Sequence, residues 1–86
     1  MHELSIALEV GSIVERYVGR DQLSRVVKVA LEVGHDAGVE FDSLEFCLNA
    51  VLGQPPFQGA TAVIERVAGN VLRVSHLEVD DGNPDD

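Results

Sequence analysis

Residues Met1-His2-Glu3 place an imidazole and a carboxylate beside an amino terminus. A terminal amine, the intervening backbone amide and the His2 imidazole form fused chelate rings around one metal ion. A metal that favours square-planar nitrogen coordination, Ni(II) or Cu(II), displaces amide protons and binds the amidates. The donors would be the Met1 amine, the His2 amide, the His2 side chain and the Glu3 amide, with the Glu3 carboxylate as an outer partner. Two amidates cancel the charge of the dication, which the positive end of a helix would otherwise repel. Met-His starts also arise by accident, so the tripeptide taken alone is a weak signal. Elsewhere, His35-Asp36 lies close to Glu40, which leaves a His/Asp/Glu cluster as one reading and a solvated loop as the favoured one. His76 reads as an exposed or partly packed strand residue and Cys47 as a small buried hydrophobe. No nucleophile, base and orienting group share a motif, and GQPPFQG (53–59) lacks the Lys-Ser/Thr ending of a phosphate-binding loop. Catalysis is therefore not expected.

Composition narrows the partners. The 86 residues carry six Lys/Arg against fifteen Asp/Glu, a net charge of −9, and four aspartates lie in the last seven residues. Such a chain lacks the basic face that nucleic acid or an anionic membrane surface requires. There is no apolar run of about 18 residues to span a bilayer. A single cysteine excludes an internal disulfide framework, and zinc sites built on four cysteines or paired cysteines and histidines are excluded within one chain. These features place the protein in the cytosol. Segment 80–86, DDGNPDD, reads as a disordered acidic tail behind a domain at 1–79.

The elements that must position these residues follow from periodicity. Ile6, Val10, Ile13, Val14, Tyr17 and Val18 recur at helical spacing over 4–18, with Gly19 as the stop. RVVKVALEVG (25–34) predicts a strand with Val27, Val29, Leu31 and Val33 on its buried face. Phe41, Leu44, Cys47, Leu48, Val51 and Leu52 mark a second amphipathic helix, with Glu40 and Asp42 at its positive end. The Pro- and Gly-rich segment 53–59 ends it. ATAVIERVA (60–68) and VLRVSHLEV (71–79) are β-prone runs separated by Gly69-Asn70, the signal of a two-residue hairpin. That hairpin would pair Arg66 with Arg73 and Ile64 with Ser75. It would put Ala62, Ile64, Leu77 and Val79 on the helix side and Thr61, Glu65 and Val74 on the other. The expected fold is α/β (α+β), in the order α-β-α-β-β, with a small mixed three-stranded sheet and two helices on one face. Its exposed edge permits a monomer or a weak homodimer.

MHELSIA with its amphipathic helix, then VALEVG, GVEFDSLEF and GATAVIERV, resembles the HypA/HybF family of hydrogenase nickel-incorporation proteins in order and spacing, over nearly all of 1–79. The resemblance implies a nickel metallochaperone, not an enzyme, in which Met1, His2 and Glu3 bind Ni(II) and Glu40 matches an acidic position near the metal. It implies action with a nickel-handling GTPase and delivery to the hydrogenase large-subunit precursor. It also implies one difference: the family's zinc domain, with two Cys-x-x-Cys pairs, is inserted between the IERV strand and the last strand, whereas Val67-Ala68-Gly69-Asn70-Val71 joins them directly here. A nickel-binding domain without zinc, the zinc module replaced by a turn near 68–71, is the expectation. Two readings remain: a nickel carrier, or an unmetallated module that docks on the GTPase or the hydrogenase precursor. The first is favoured because the chelating terminus is intact and the missing part is not needed to build it.

Overall fold

A computed structural model describes residues 2–80. The element order is helix α1 (Glu3–Val18), a 3-10 segment (Arg20–Arg25), strand β1 (Val26–Gly34), helix α2 (Phe41–Leu52), strand β2 (Thr61–Val67) and strand β3 (Leu72–Val79). The expected class, a mixed three-stranded sheet with two main helices, is what the chain forms. Both helices begin where the sequence places them, because their apolar stripes need a common surface. Ala7, Val10 and Val14 of α1 and Leu44, Leu48 and Leu52 of α2 are buried with Val29, Leu31 and Val33 of β1.

Strand pairing departs from the expected hairpin. The sheet order is β2-β1-β3, so β2 and β3 flank β1 and do not pair with each other. β2 runs parallel to β1, with Leu31 beside Ile64, as the helical crossover through α2 allows. β3 runs antiparallel on the other edge, with Val29 beside Leu77. The physical reason lies in β1, whose residues Val26, Val29, Ala30, Leu31 and Val33 are nearly inaccessible to water. A strand so buried needs both rows of backbone groups paired. A β2–β3 hairpin would leave one row open and set Arg66 against Arg73. In the actual arrangement Arg73 bonds Glu32 of β1 at 2.6 Å, while Arg66 lies over the Phe41 ring, 4.5 Å from its centre.

The link from β2 to β3 must therefore cross two strand spacings, roughly 10 Å. Residues 68–71 can do so, since the five steps from Val67 to Leu72 reach about 16 Å when extended. The link wraps the end of β1: the amides of Gly34, His35 and Asp36 donate to the carbonyls of Val71, Val67 and Gly69 at 2.6, 2.9 and 2.9 Å.

Two irregularities correct the expected faces. An extra residue in β1 between Val26 and Lys28 keeps Val26 buried and turns Val27 outward, 45% exposed. A second shift, at Ser75 in β3, turns Val74 onto the core beside Ala62, Ile64 and Leu77. Strict alternation puts Val27 inside and Val74 outside because it has no provision for a bulge. Val79, expected on the core face, is 42% exposed at the strand end. Leu23 of the 3-10 segment and Phe57 of the Pro-rich loop complete the core, and neither lies in a periodic pattern. Asp80, placed by sequence in the acidic tail, donates its amide to the Arg25 carbonyl at 2.8 Å, and the rest of that tail lies outside the described residues.

A Cβ on Gly34 would overlap the Gly69 carbonyl and stand 2.7 Å from the Val71 nitrogen, both backbone atoms that have no freedom to move aside. Gly34→Ala should therefore cost about 3 kcal/mol or more, read as a lowered urea midpoint in equilibrium unfolding. Gly38→Ala, with open space around it, is the comparison that isolates its positive φ of 75°.

Candidate functional site at the start of the first helix

The first turn of α1 carries the sequence-predicted metal residues. His2 is the N-cap, with φ −88° and ψ 112°, and its side chain makes no capping hydrogen bond. Its carbonyl accepts from the Ile6 amide at 3.2 Å, the first bond of the helical ladder. The imidazole is exposed and stands at the rim of a groove between α1 and β3. Amides in the first turn of a helix have no carbonyl four residues earlier to bond. Deprotonating the amides at positions 2 and 3 would thus sacrifice no ladder bond, since the ladder begins only at the Ile6 amide. Met1 lies outside the described residues.

Glu3 and Glu40, 37 positions apart, are brought together. The Glu40 amide donates to Glu3 Oε2 at 3.1 Å, tying the start of α1 to the start of α2. The Glu40 carboxylate turns the other way and caps its own helix, accepting from the amides of Ser43 at 2.7 Å and Asp42 at 3.4 Å. The two carboxylates thus form a relay that serves two helix starts, where orphan amides and the macrodipole both favour an anion.

Glu3 is held below the ordinary carboxylate range, chiefly by the Glu40 amide it accepts from. Glu40 is lowered as well, chiefly by the Ser43 side chain and amide. The residue that links the helices was singled out in the sequence, but the link itself had no signal there, since it depends on how α1 and α2 lie together.

The other candidates separate. His35 stacks edge-on against Phe41 with ring centres 5.7 Å apart, so it packs on α2. His76 Nε2 lies 3.5 Å from Glu78 on β3. Cys47 is half-buried and unpaired by disulfide. Among the described residues no group of three or more His, Cys, Asp or Glu side chains is placed to hold a metal ion. A terminal amine and amidate set is of a different kind, because it draws on the backbone and needs one side chain. No described helix is long and apolar enough to cross a membrane.

Fold and site together define a small α+β domain with an exposed histidine at the start of its first helix. A family model described as hydrogenase/urease nickel incorporation, metallochaperone, HypA, matches residues 1–74. The chain is 41% identical over 70 residues to a hydrogenase maturation factor HypA of Azoarcus sp., covering 81% of this chain and 61% of the relative. It is 44% identical over 69 residues to the HypA of Geobacter metallireducens, covering 80% and 60%. With that of Psychromonas ingrahamii it shares 35% over 80 residues, covering 92% and 70%. The chain belongs to the HypA family. Matches to its first relatives span about three-fifths of their length.

Because both carboxylates are lowered in the folded state, their contribution to stability is complete above the ordinary carboxylate pKa of about 4.3. It is lost as pH falls through the lowered values. In the metal-free protein the melting temperature should hold between about pH 7 and 5 and drop below about pH 4. A Glu3→Gln/Glu40→Gln variant should show a smaller drop over the same interval, followed by circular dichroism.

Proposed function

We propose that this domain carries Ni(II) on its Met1-His2-Glu3 terminus for the maturation of a hydrogenase. The observation that supports it is the exposed, extended His2 at the point of α1 where backbone amides are free of the helical ladder, in a chain whose family match starts at residue 1. The cargo ion would be held by the Met1 amine, the His2 and Glu3 amidates and the His2 imidazole. Such a set suits a d8 ion in a square plane and disfavours tetrahedral zinc. An open site of this kind also suits a carrier, since the ion can be passed on by stepwise protonation of its donors.

Glu3 supports the set from outside by fixing the first turn through the Glu40 amide. Glu40 acts in this reading as an outer partner, its carboxylate occupied with the start of α2. The nickel-handling GTPase and the hydrogenase large-subunit precursor are the partners proposed from the family resemblance, with the cytoplasm as the place of action. No zinc is required, because residues 68–71 pass directly between the two edge strands and the core is closed by apolar side chains.

The test is Ni(II) titration of untagged protein starting at Met1, followed by the absorption and circular-dichroism bands of square-planar amidate coordination. Removing even an outer partner of a metal ligand costs 10–100-fold, so His2→Ala should weaken binding by more than about a hundredfold. Blocking the Met1 amine by acetylation should abolish the amidate bands. Unchanged stoichiometric binding in both variants would refute the site and leave the docking-module reading. A second expectation concerns folding: EDTA should leave the melting temperature unchanged, and a large fall would reveal a structural metal.

A further inference from the structure

The two helices run parallel, side by side. Their starts are joined where the Glu40 amide meets Glu3. Farther along, a side chain at Gly11 of α1 would stand 3.5 Å from Val51 of α2. With a rise of about 1.5 Å per residue, Leu8 then stands level with Phe46 and Cys47, and Leu4 one turn nearer the starts.

Burial fixes which way these residues turn. α1 faces the core with Ala7, Val10 and Val14, and α2 with Leu44, Leu48 and Leu52. Leu4, Leu8 and Gly11 share one stripe of α1 at steps of four and three, the stripe that borders α2. From the other side Val51 and Cys47 line the seam half-buried, and Ala50 and Phe46 stand exposed above them. Leu4 and Leu8 are 54% and 56% exposed and Phe46 76%, so a strip of large apolar side chains follows the outside of the seam.

The same surface is acidic. α1 carries Glu3, Glu9 and Glu15 against Arg16, and α2 carries Asp42 and Glu45 with no basic residue. Arg16 is the one Lys/Arg in either helix, and it is taken up by Glu9 at 3.3 Å. Asp42 has only Arg66 of β2, 3.9 Å away, and among the described residues Glu45 makes no ion pair. An occupant of the strip must therefore bring apolar side chains with positive charge beside them.

Backbone chemistry selects its shape. Inside a helix the amides and carbonyls bond one another, so an extended chain lying on the seam gains no main-chain hydrogen bonds. A third helix, in contrast, sets an apolar ridge between two parallel neighbours. Ser43, Cys47 and Ala50 are small and let it approach closely. We infer that the seam between α1 and α2 docks a basic amphipathic helix of a partner protein. This goes beyond nickel binding, which rests on the first three residues alone, and either can fail without the other.

The probe is a synthetic acetylated peptide of about 18 residues, long enough to form a helix, with leucines at steps of three and four and lysines on the flanks. Fluorescence anisotropy with the metal-free full chain should give saturable binding with a dissociation constant below about 1 mM, weakened by added salt. Leu8→Gln and Phe46→Gln should each weaken it by about tenfold or more with an unchanged circular-dichroism spectrum. Tyr17→Gln, on the β3 side of α1, should leave it unchanged. A peptide of the same composition, scrambled to break the helical period, and one with glutamate for lysine should both bind at least about tenfold more weakly. Absence of saturation at about 1 mM overturns the inference, as does equal binding of the scrambled peptide or indifference to both Leu8→Gln and Phe46→Gln. Self-association of the native chain that is lost in Phe46→Gln also overturns it, since a second copy would then be the occupant.

Discussion

The molecule depends on a strand that must be paired on both sides. β1 runs through the centre of the sheet with Val29, Leu31 and Val33 fully removed from water. Its amides and carbonyls cannot be left to solvent, so a neighbour is required on each edge. From that requirement follow the parallel crossover through α2, the long way round taken by residues 68–71, and the glycine at position 34. The same requirement places the two arginines of the edge strands on opposite sides of the sheet, where each finds an acidic or aromatic neighbour.

The core then places the helix starts. Both helices bury leucine, valine and alanine on the one covered face of the sheet, which puts their N-termini at one pole of the domain. Two positive helix ends side by side are unfavourable unless anions serve them. Glu3 and Glu40 do so in sequence, the first accepting from the second's amide and the second capping its own helix. The result is a first turn fixed from below and open above, with His2 displayed at its tip. In the proposed nickel carrier, His2 stands outside the packing that stabilises the fold, so loading and unloading a metal there would not require the domain to rearrange.

Much of the architecture was legible in the residues. The helix spans, the β-prone segments, the class and the order of elements all follow from apolar periods of 3.6 and 2, which report the face each element buries. Gly69-Asn70 misled, because a two-residue turn signal describes local backbone geometry, and the choice of partner strand is settled by whichever strand is most deeply buried. Val27 and Val74 misled for a related reason, since a bulge in one strand is specified by its neighbours. Leu23 and Phe57 escaped notice because each acts alone, outside any repeating pattern.

The sequence by itself determined that this chain is a small acidic α+β domain and that its segments follow the HypA pattern in order and spacing, with Met1-His2-Glu3 at its start. Those are properties of composition, order and spacing, and they survive any arrangement in space. Tertiary structure alone decided that β1 stands between β2 and β3, that Glu3 reaches Glu40 across 37 positions, and that a bulge turns Val74 onto the core. Each of these is a contact between segments distant in the chain, whose geometry comes from the burial of a shared core.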